Sequence, residues 1–291
     1  MKAWKLFLGF VLVCVAPFGG AITALAAPLP ALSKPTPLYF SLTGFKWNRP
    51  IFQTGGNTDI SYFVDGSDFT NDGGLSAGQV GTALVNAFNS WDAVPSADIA
   101  LTQRPDDGGN YDVWDNSWAG AGTPDLGATL FYANVILGGW LPQSFFDDLG
   151  GGTSILGVTW IFGFVPGPGD PVGPNGLLDA DGDGYDDFAM AEIYFNDYFA
   201  WNVDGSDIDI ETVAFHEIGH ALGLDHSADT EAAMYAYYQG VRRSPSPDDV
   251  AGISTLYPLA SPIPEPSTIL LLGAGLVGLG FWGRKRMACK S

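Results

Sequence analysis

The chain has 291 residues, a net charge of −20, 46% hydrophobic and 15% charged residues, which permits one large packed core and excludes a disordered polymer. Between residues 27 and 267, six Lys and Arg stand against 32 Asp and Glu, a charge of −26. A body this acidic has no surface for phosphate backbones, so nucleic-acid binding is excluded, while solubility and cation binding are favoured.

The N-terminus reads "MKAWKLFLGFVLVCVAPFGGAITALAAPLP". Lys2 and Lys5 form a basic start, Leu6 to Val15 an apolar run, and Ala24-Leu25-Ala26 a small-residue cleavage site. This order predicts a secretory signal peptide over residues 1–26, with an apolar run too short for a comfortable membrane span. A Pro-rich lead-in follows over 27–37, and one folded domain is expected over 38–258. Cys14 and Cys289 both fall in the end segments, so the domain has neither cysteine nor disulfide.

Within the domain, Ile60, Tyr62 and Val64 alternate as in a strand. Val80, Leu84, Ala87, Phe88 and Trp91 recur at helical spacing behind Ser76, a natural N-cap. "ADIALTQ" predicts a second strand. Residues 104–127, rich in Gly and Asp and carrying Tyr111, Trp114 and Trp118, predict an irregular insertion. "TLFYANVIL", "SILGVTWIFGF" and "AEIYFN" predict further strands, the last two separated by a Gly/Pro/Asp-rich loop over 166–187. "SDIDIETVAFHEIGHALG" predicts a helix capped within Ser206 to Asp209 and stopped at Gly223. "SPDDVAGISTLY" predicts a closing helix.

The loop before "AEIYFN" contains "DADGDGYDD", with Asp179, Asp181 and Asp183 at alternate positions, Gly184 at the turn and Asp187 further on. Alternate oxygens converging on one point suit a hard cation of six to eight ligands, calcium above all. An EF-hand would continue to a bidentate Glu, but Met190 stands at that position, so this is a calcium-type loop of another kind. The bland alternative is a solvated acidic turn.

The chain contains three histidines, and all lie in "HEIGHALGLDH": His216, His220 and His226. Residues four apart share a helix face, so His216 and His220 can offer two ring nitrogens to one ion. Glu217 sits beside them, able to reach a water on that ion without ligating it. A positive-φ turn at Gly223 swings His226 back as a third ligand. Three protein ligands leave the open position of a catalytic zinc site.

HExxHxxGxxH is the metzincin signature, and the surroundings resemble the matrixin branch. Ser227 follows the third histidine, and Met234 in "AAMYAYY" stands where a Met-turn belongs. "SPDDVAGISTLY", "KWNRPI" and the helix through "NAFNSW" resemble other parts of the matrixin catalytic domain. The resemblance implies an α+β, zincin/metzincin-like catalytic domain, with a twisted mixed sheet packed on an active-site helix and a second long helix. It implies a secreted zinc-dependent endopeptidase acting on protein or peptide substrates, in which zinc-bound water attacks the peptide bond. His216, His220 and His226 would hold zinc, Glu217 would be the general base, and Met234 the floor beneath the site. Tyr235 and Tyr237 would help wall the pocket for the residue after the cut. Matrixins also bind calcium near the acidic loop, which adds Asn196 and Asp197 as weaker ligand candidates.

The sequence departs from the family in three ways. Ala236 stands where matrixins usually have proline. The domain has no propeptide cysteine, and no histidine remains for a second, structural zinc, so one zinc is expected. A different class of function stays open: a metzincin-fold surface or adhesion protein that binds calcium without turnover.

The chain closes with "SPIPEPSTILLLGAGLVGLGFWGRKRMACKS". A linker over 259–267 carries Pro264-Glu265-Pro266, and residues 268–291 hold an apolar stretch to Trp282 followed by Arg284, Lys285 and Arg286. Apolar stretch and basic cluster in this order favour a cytoplasmic C-terminus, although the stretch is short for a transmembrane helix. The three parts resemble the PEP-CTERM sorting tail of bacterial envelope proteins. That resemblance implies an exosortase-type processing enzyme as partner, membrane contact through the tail, and a final location at the cell envelope or outside it.

Overall fold

The computed structural model describes residues 5–15, 38–48, 59–66, 68–69, 74–109, 111 and 133–259. The chain divides into two units, residues 1–258 and 259–291. Most of the 104–127 insertion, the Pro-Glu-Pro segment and the apolar tail lie outside the described residues. Among the described residues no helix is long and apolar enough to cross a membrane.

The first unit is an α+β domain built on a seven-stranded sheet. Its path runs β1 (Lys5–Val15), β7 (Ile155–Val165), β8 (Asp186–Asn196), β6 (Val135–Leu141), β4 (Ile60–Val64) and β5 (Leu101–Gln103). A short β3 (Phe45–Lys46) pairs with the start of β8. β8, β6, β4 and β5 run parallel, whereas β7 and β1 are antiparallel to their neighbours, so the sheet is mixed, as the resemblance implies. β8 is buried along its whole length and reads as a near-continuous apolar run, as a strand covered on both faces must. Residues 5–15, which hold the apolar run of the expected signal peptide, form the outer strand, with Lys5 opposite Val165 and Val15 opposite Ile155.

Two long helices cover one face. The helix α1 (Ala77–Asp92) begins at Ser76, whose side chain caps Gln79 in a reciprocal capping box. It buries Val80, Ala83, Leu84, Ala87, Phe88 and Trp91. The short α2 (Gln143–Asp148) follows β6 and is not visible in the sequence pattern. The helix α3 (Ile210–Ala221) is buried at every position. Asp209 caps it by accepting from the Thr212 amide at 2.8 Å, which places the cap at the last residue of the predicted Ser206–Asp209 stretch. Trp91 of α1 stacks on Phe215 of α3, with ring centroids 4.4 Å apart, and donates its indole N–H to the Phe215 carbonyl at 2.9 Å. Such a stacked pair contributes about 0.5–1.5 kcal/mol beyond the area it buries. The closing helix α4 (Pro247–Leu256) starts at Ser246 with a second capping box, through Asp249.

Candidate active site

α3 presents His216 and His220 one turn apart on one face, both almost wholly buried. The helix ends where Gly223 takes φ +103°, a conformation that strains any residue with a side chain. A β-carbon at Gly223 would also lie 2.4 Å from the Phe45 carbonyl oxygen. The turn leads into β9 (Leu224–Asp225), which pairs with β2 (Ser41–Leu42), and so returns His226 to the helix. The ring centroids of His216–His220, His216–His226 and His220–His226 are 4.6, 5.3 and 4.8 Å apart. Each ring offers one nitrogen, and these lie within 4.8 Å of one another.

The donor set fits a zinc ion. His216 Nδ1 lies 2.7 Å from the Ala233 carbonyl and His220 Nδ1 lies 2.8 Å from the Leu224 carbonyl. A carbonyl oxygen only accepts, so both Nδ1 atoms carry the proton and both Nε2 atoms present lone pairs. Those two Nε2 atoms face each other at 3.0 Å. Two lone pairs at that distance repel, and a cation drawn to both relieves the repulsion. Burial, with the His226 charge adding to it, pushes His216 down to about 3, and burial likewise pushes His220 well below its ordinary value. Both imidazoles are therefore neutral, the form that ligates.

The surroundings of the triad come from three further elements. Met234 is buried, and a β-carbon on Gly219 would lie 2.3 Å from its sulfur, so the methionine packs directly against the helix between the two histidines. Ser227 donates its amide to the Met234 carbonyl at 2.8 Å, linking the third-histidine turn to the methionine turn. Asp248 and Asp249 of α4 hold both turns. Asp249 accepts from the Ala233 and Met234 amides at 2.8 and 3.1 Å, and Asp248 accepts from the Ser227 hydroxyl at 2.7 Å. The sequence marks these two aspartates only as a helix start.

Glu217 is fully buried on the side of α3 that faces β7. The Thr159 hydroxyl donates to Glu217 Oε2 at 2.6 Å and lies 3.0 Å from the Glu217 carbonyl. Thr159 is not legible in the sequence as a site residue. Its only signal is a lone hydroxyl in the otherwise apolar run "ILGVTWIFGF".

Tyr235 and Tyr237 line a small pocket beside His216, together with Ala233, Tyr238 and Arg242. Arg242 of that lining donates to the Ala232 and Thr230 carbonyls at 2.6 and 2.5 Å.

In the acidic loop, Asp179, Asp181 and Asp183 bring carboxylate oxygens within 4.8 Å of one another. Amides of Asp183 and Gly184 donate to Asp179 at 3.1 and 3.0 Å, and Lys46 pairs with Asp183. Asp187 joins this loop through the Ala180 amide at 2.7 Å, and burial raises its carboxyl to about 7. Asn196 and Asp197 do not belong here. Asn196 ends β8, while the loop precedes its start, and the Asn196 amide donates to the Gly152 and Ile155 carbonyls instead. Asp197 accepts from the Gln143 amide, at the N-terminus of α2.

A buried helix bearing two histidines, a glycine turn, a third histidine and a methionine turn below them, on a mixed sheet, define a metzincin fold. Residues 178–258 match the family model for Matrixin, and residues 262–285 match the PEP-CTERM protein-sorting motif. Karilysin from Tannerella forsythia is 26% identical over 230 residues, 79% of this chain and 37% of its own length. Stromelysin-1 from Equus caballus is 46% identical over 77 residues, 24% of this chain and 16% of its own. Matrix metalloproteinase-19 from Homo sapiens is 38% identical over 78 residues, 25% of this chain and 15% of its own. The chain thus spans well under half the length of these curated relatives. Over the matched residues it resembles a matrixin, followed in sequence by a segment that resembles a PEP-CTERM sorting tail.

Proposed function

We propose that the chain is a zinc-dependent endopeptidase, secreted and then held at or released from the cell envelope. The observation that carries this reading is the facing pair of deprotonated Nε2 atoms on His216 and His220, with Glu217 one residue away and buried against β7. His216, His220 and His226 would hold zinc, which when bound supplies Lewis acidity toward a water and a peptide carbonyl. Glu217 takes a proton from the attacking water and delivers it to the leaving amine, serving as base and then acid. Tyr235 and Tyr237 flank the pocket beside His216, where the residue after the cut would sit. Asp179, Asp181, Asp183 and Asp187 would hold calcium and fix the loop ahead of β8.

Incubating the purified protein with a mixed peptide library tests the activity. Cleavage should stop with a chelator, and Glu217→Ala should keep its zinc and fold while losing about 10²–10⁴ in rate. A zinc-loaded parent that cleaves nothing would instead favour a calcium-binding surface protein of the same fold.

The matched sorting motif supports processing at the tail by an exosortase-type enzyme, with residues 1–26 removed on export as a signal peptide. Mass spectrometry of protein recovered from the native envelope should find neither the signal nor the residues after Pro266. An intact C-terminus at Ser291 would make the tail an ordinary membrane anchor.

A further inference from the structure

The geometry points to Thr159 as a positioning residue for the Glu217 carboxylate, acting together with the empty side-chain space at Gly157; this rests on Glu217 being the general base. Residues two apart on a strand share a face, so Gly157 and Thr159 of β7 both look toward α3. Thr159 is completely buried among apolar neighbours on its strand, where an unbonded hydroxyl would be costly. Its Oγ1 carries one proton, and the two acceptors within reach, Oε2 at 2.6 Å and the carbonyl at 3.0 Å, belong to the same residue, Glu217. The shorter distance lies in the range of a hydroxyl bonded to a charged carboxylate, which is the stronger kind.

Gly157 acts on the other oxygen. A β-carbon there would come within 3.1 Å of Glu217 Cγ and Oε1, tighter than ordinary van der Waals contact. β7 therefore grips one carboxylate oxygen with a donor and leaves room for the other by omitting a side chain. The terminal torsion of a glutamate is soft, so a donor to one oxygen biases the plane of the carboxylate. With it, Oε2 is fixed and Oε1 is directed toward the Gly157 side. A base held in one orientation is what proton transfer requires, since small misplacements at reacting groups cost large factors in rate.

The test compares Thr159→Val, which keeps the shape and removes the hydroxyl, with Thr159→Ser, which keeps the hydroxyl. Thr159→Val should lose about 10–100-fold in kcat, the loss seen for partners that orient metal ligands. Its KM and its zinc content should stay at the parental values, and Thr159→Ser should restore most of kcat. A hydroxyl that serves stability alone would lower the melting temperature of Thr159→Val and leave kcat unchanged, which overturns the assignment. Crystal structures of the zinc-loaded variants give a readout independent of turnover. The Glu217 carboxylate should be rotated or split in Thr159→Val and unchanged in Thr159→Ser. If Thr159→Val does not fold, Gly157→Ala serves, and an unmoved carboxylate there counts against the proposal. A parent with no peptidase activity would refute the general-base reading, whereas the crystallographic comparison would still decide the positioning.

Discussion

The carboxylate of Asp249 accepts the backbone amide of Met234 at 3.1 Å, so the last helix of the domain suspends the turn beneath the histidines. The same carboxylate accepts from Ala233, whose carbonyl in turn fixes His216 Nδ1, and from Ser246 at the start of its own helix. Asp249→Ala should therefore leave buried amides without partners. The expected cost is about 3 kcal/mol, since hydrogen bonds to charged groups are worth roughly 1.5–3 kcal/mol each. For a domain of this size that is a fall on the order of 10 °C in melting temperature, measurable by calorimetry. A variant melting with the parent would show that the methionine turn holds itself.

Metal analysis of the purified protein should find one zinc per chain, because three ligands complete one open site and no other histidine exists. His220→Ala should lose the ion, since it removes the ligand whose Nε2 faces His216. A second zinc that survives dialysis would contradict the count of ligands.

Calcium should raise the melting temperature through Asp179, Asp181 and Asp183. A ligand that binds only the folded form stabilises it by about 2.7 kcal/mol at a hundredfold excess over its dissociation constant. Replacing the three aspartates by asparagine should abolish the response. A variant that still gains as much as the parent would move the calcium elsewhere.

Arg243 pairs with Asp209 at the N-terminus of α3, and a pH dependence of stability should follow. Burial alone would raise Asp209, but hydrogen bonds from Arg243 and Thr212 outweigh it and hold the carboxyl below its ordinary 3.8. A carboxyl depressed in the folded state contributes stability that is present above about 3.8 and is lost as pH falls through the folded value. Arg243→Met removes the cation from a buried partner. Arg243 is 32% exposed, so the loss near neutral pH should be on the order of 2 kcal/mol, below the roughly 3–5 of a fully buried pair. Acid unfolding should also begin at higher pH, as a titration followed by circular dichroism would show. Coincident acid limbs for parent and variant would remove Arg243 from this role.

The parts of the site legible in the sequence are those whose geometry is set within a few residues. The spacing of His216 and His220 is one helical turn, and Gly223 announces its own left-handed backbone, so the path to His226 follows. Asp179, Asp181 and Asp183 likewise converge because one tight loop carries them. Contacts between elements leave no such trace. Thr159 lies 58 positions from Glu217, and the strand around it is buried on both faces, so no alternation singled out its inward side. Asp248 and Asp249 read as the acidic first turn of a helix, because nothing local shows that their carboxylates reach across to residues 227, 233 and 234. The resemblance to matrixins adds Asn196 and Asp197 to the calcium loop, but an eleven-residue strand separates the two ends. The six-residue α2 and the two-residue strands are too short to set a period at all.

The gathering of all imidazole into residues 216, 220 and 226 has a spectroscopic consequence. Every histidine ring signal in a nitrogen-correlated NMR spectrum comes from the proposed zinc site, without background from elsewhere in the chain. The carbonyls of Ala233 and Leu224 hold the protons of His216 and His220 on Nδ1. Two protected Nδ1–H resonances, with shifts at the two Nε2 atoms when an ion enters, would report loading in solution residue by residue. The protein thus carries its own probe, placed by its sequence at the one point where chemistry is expected.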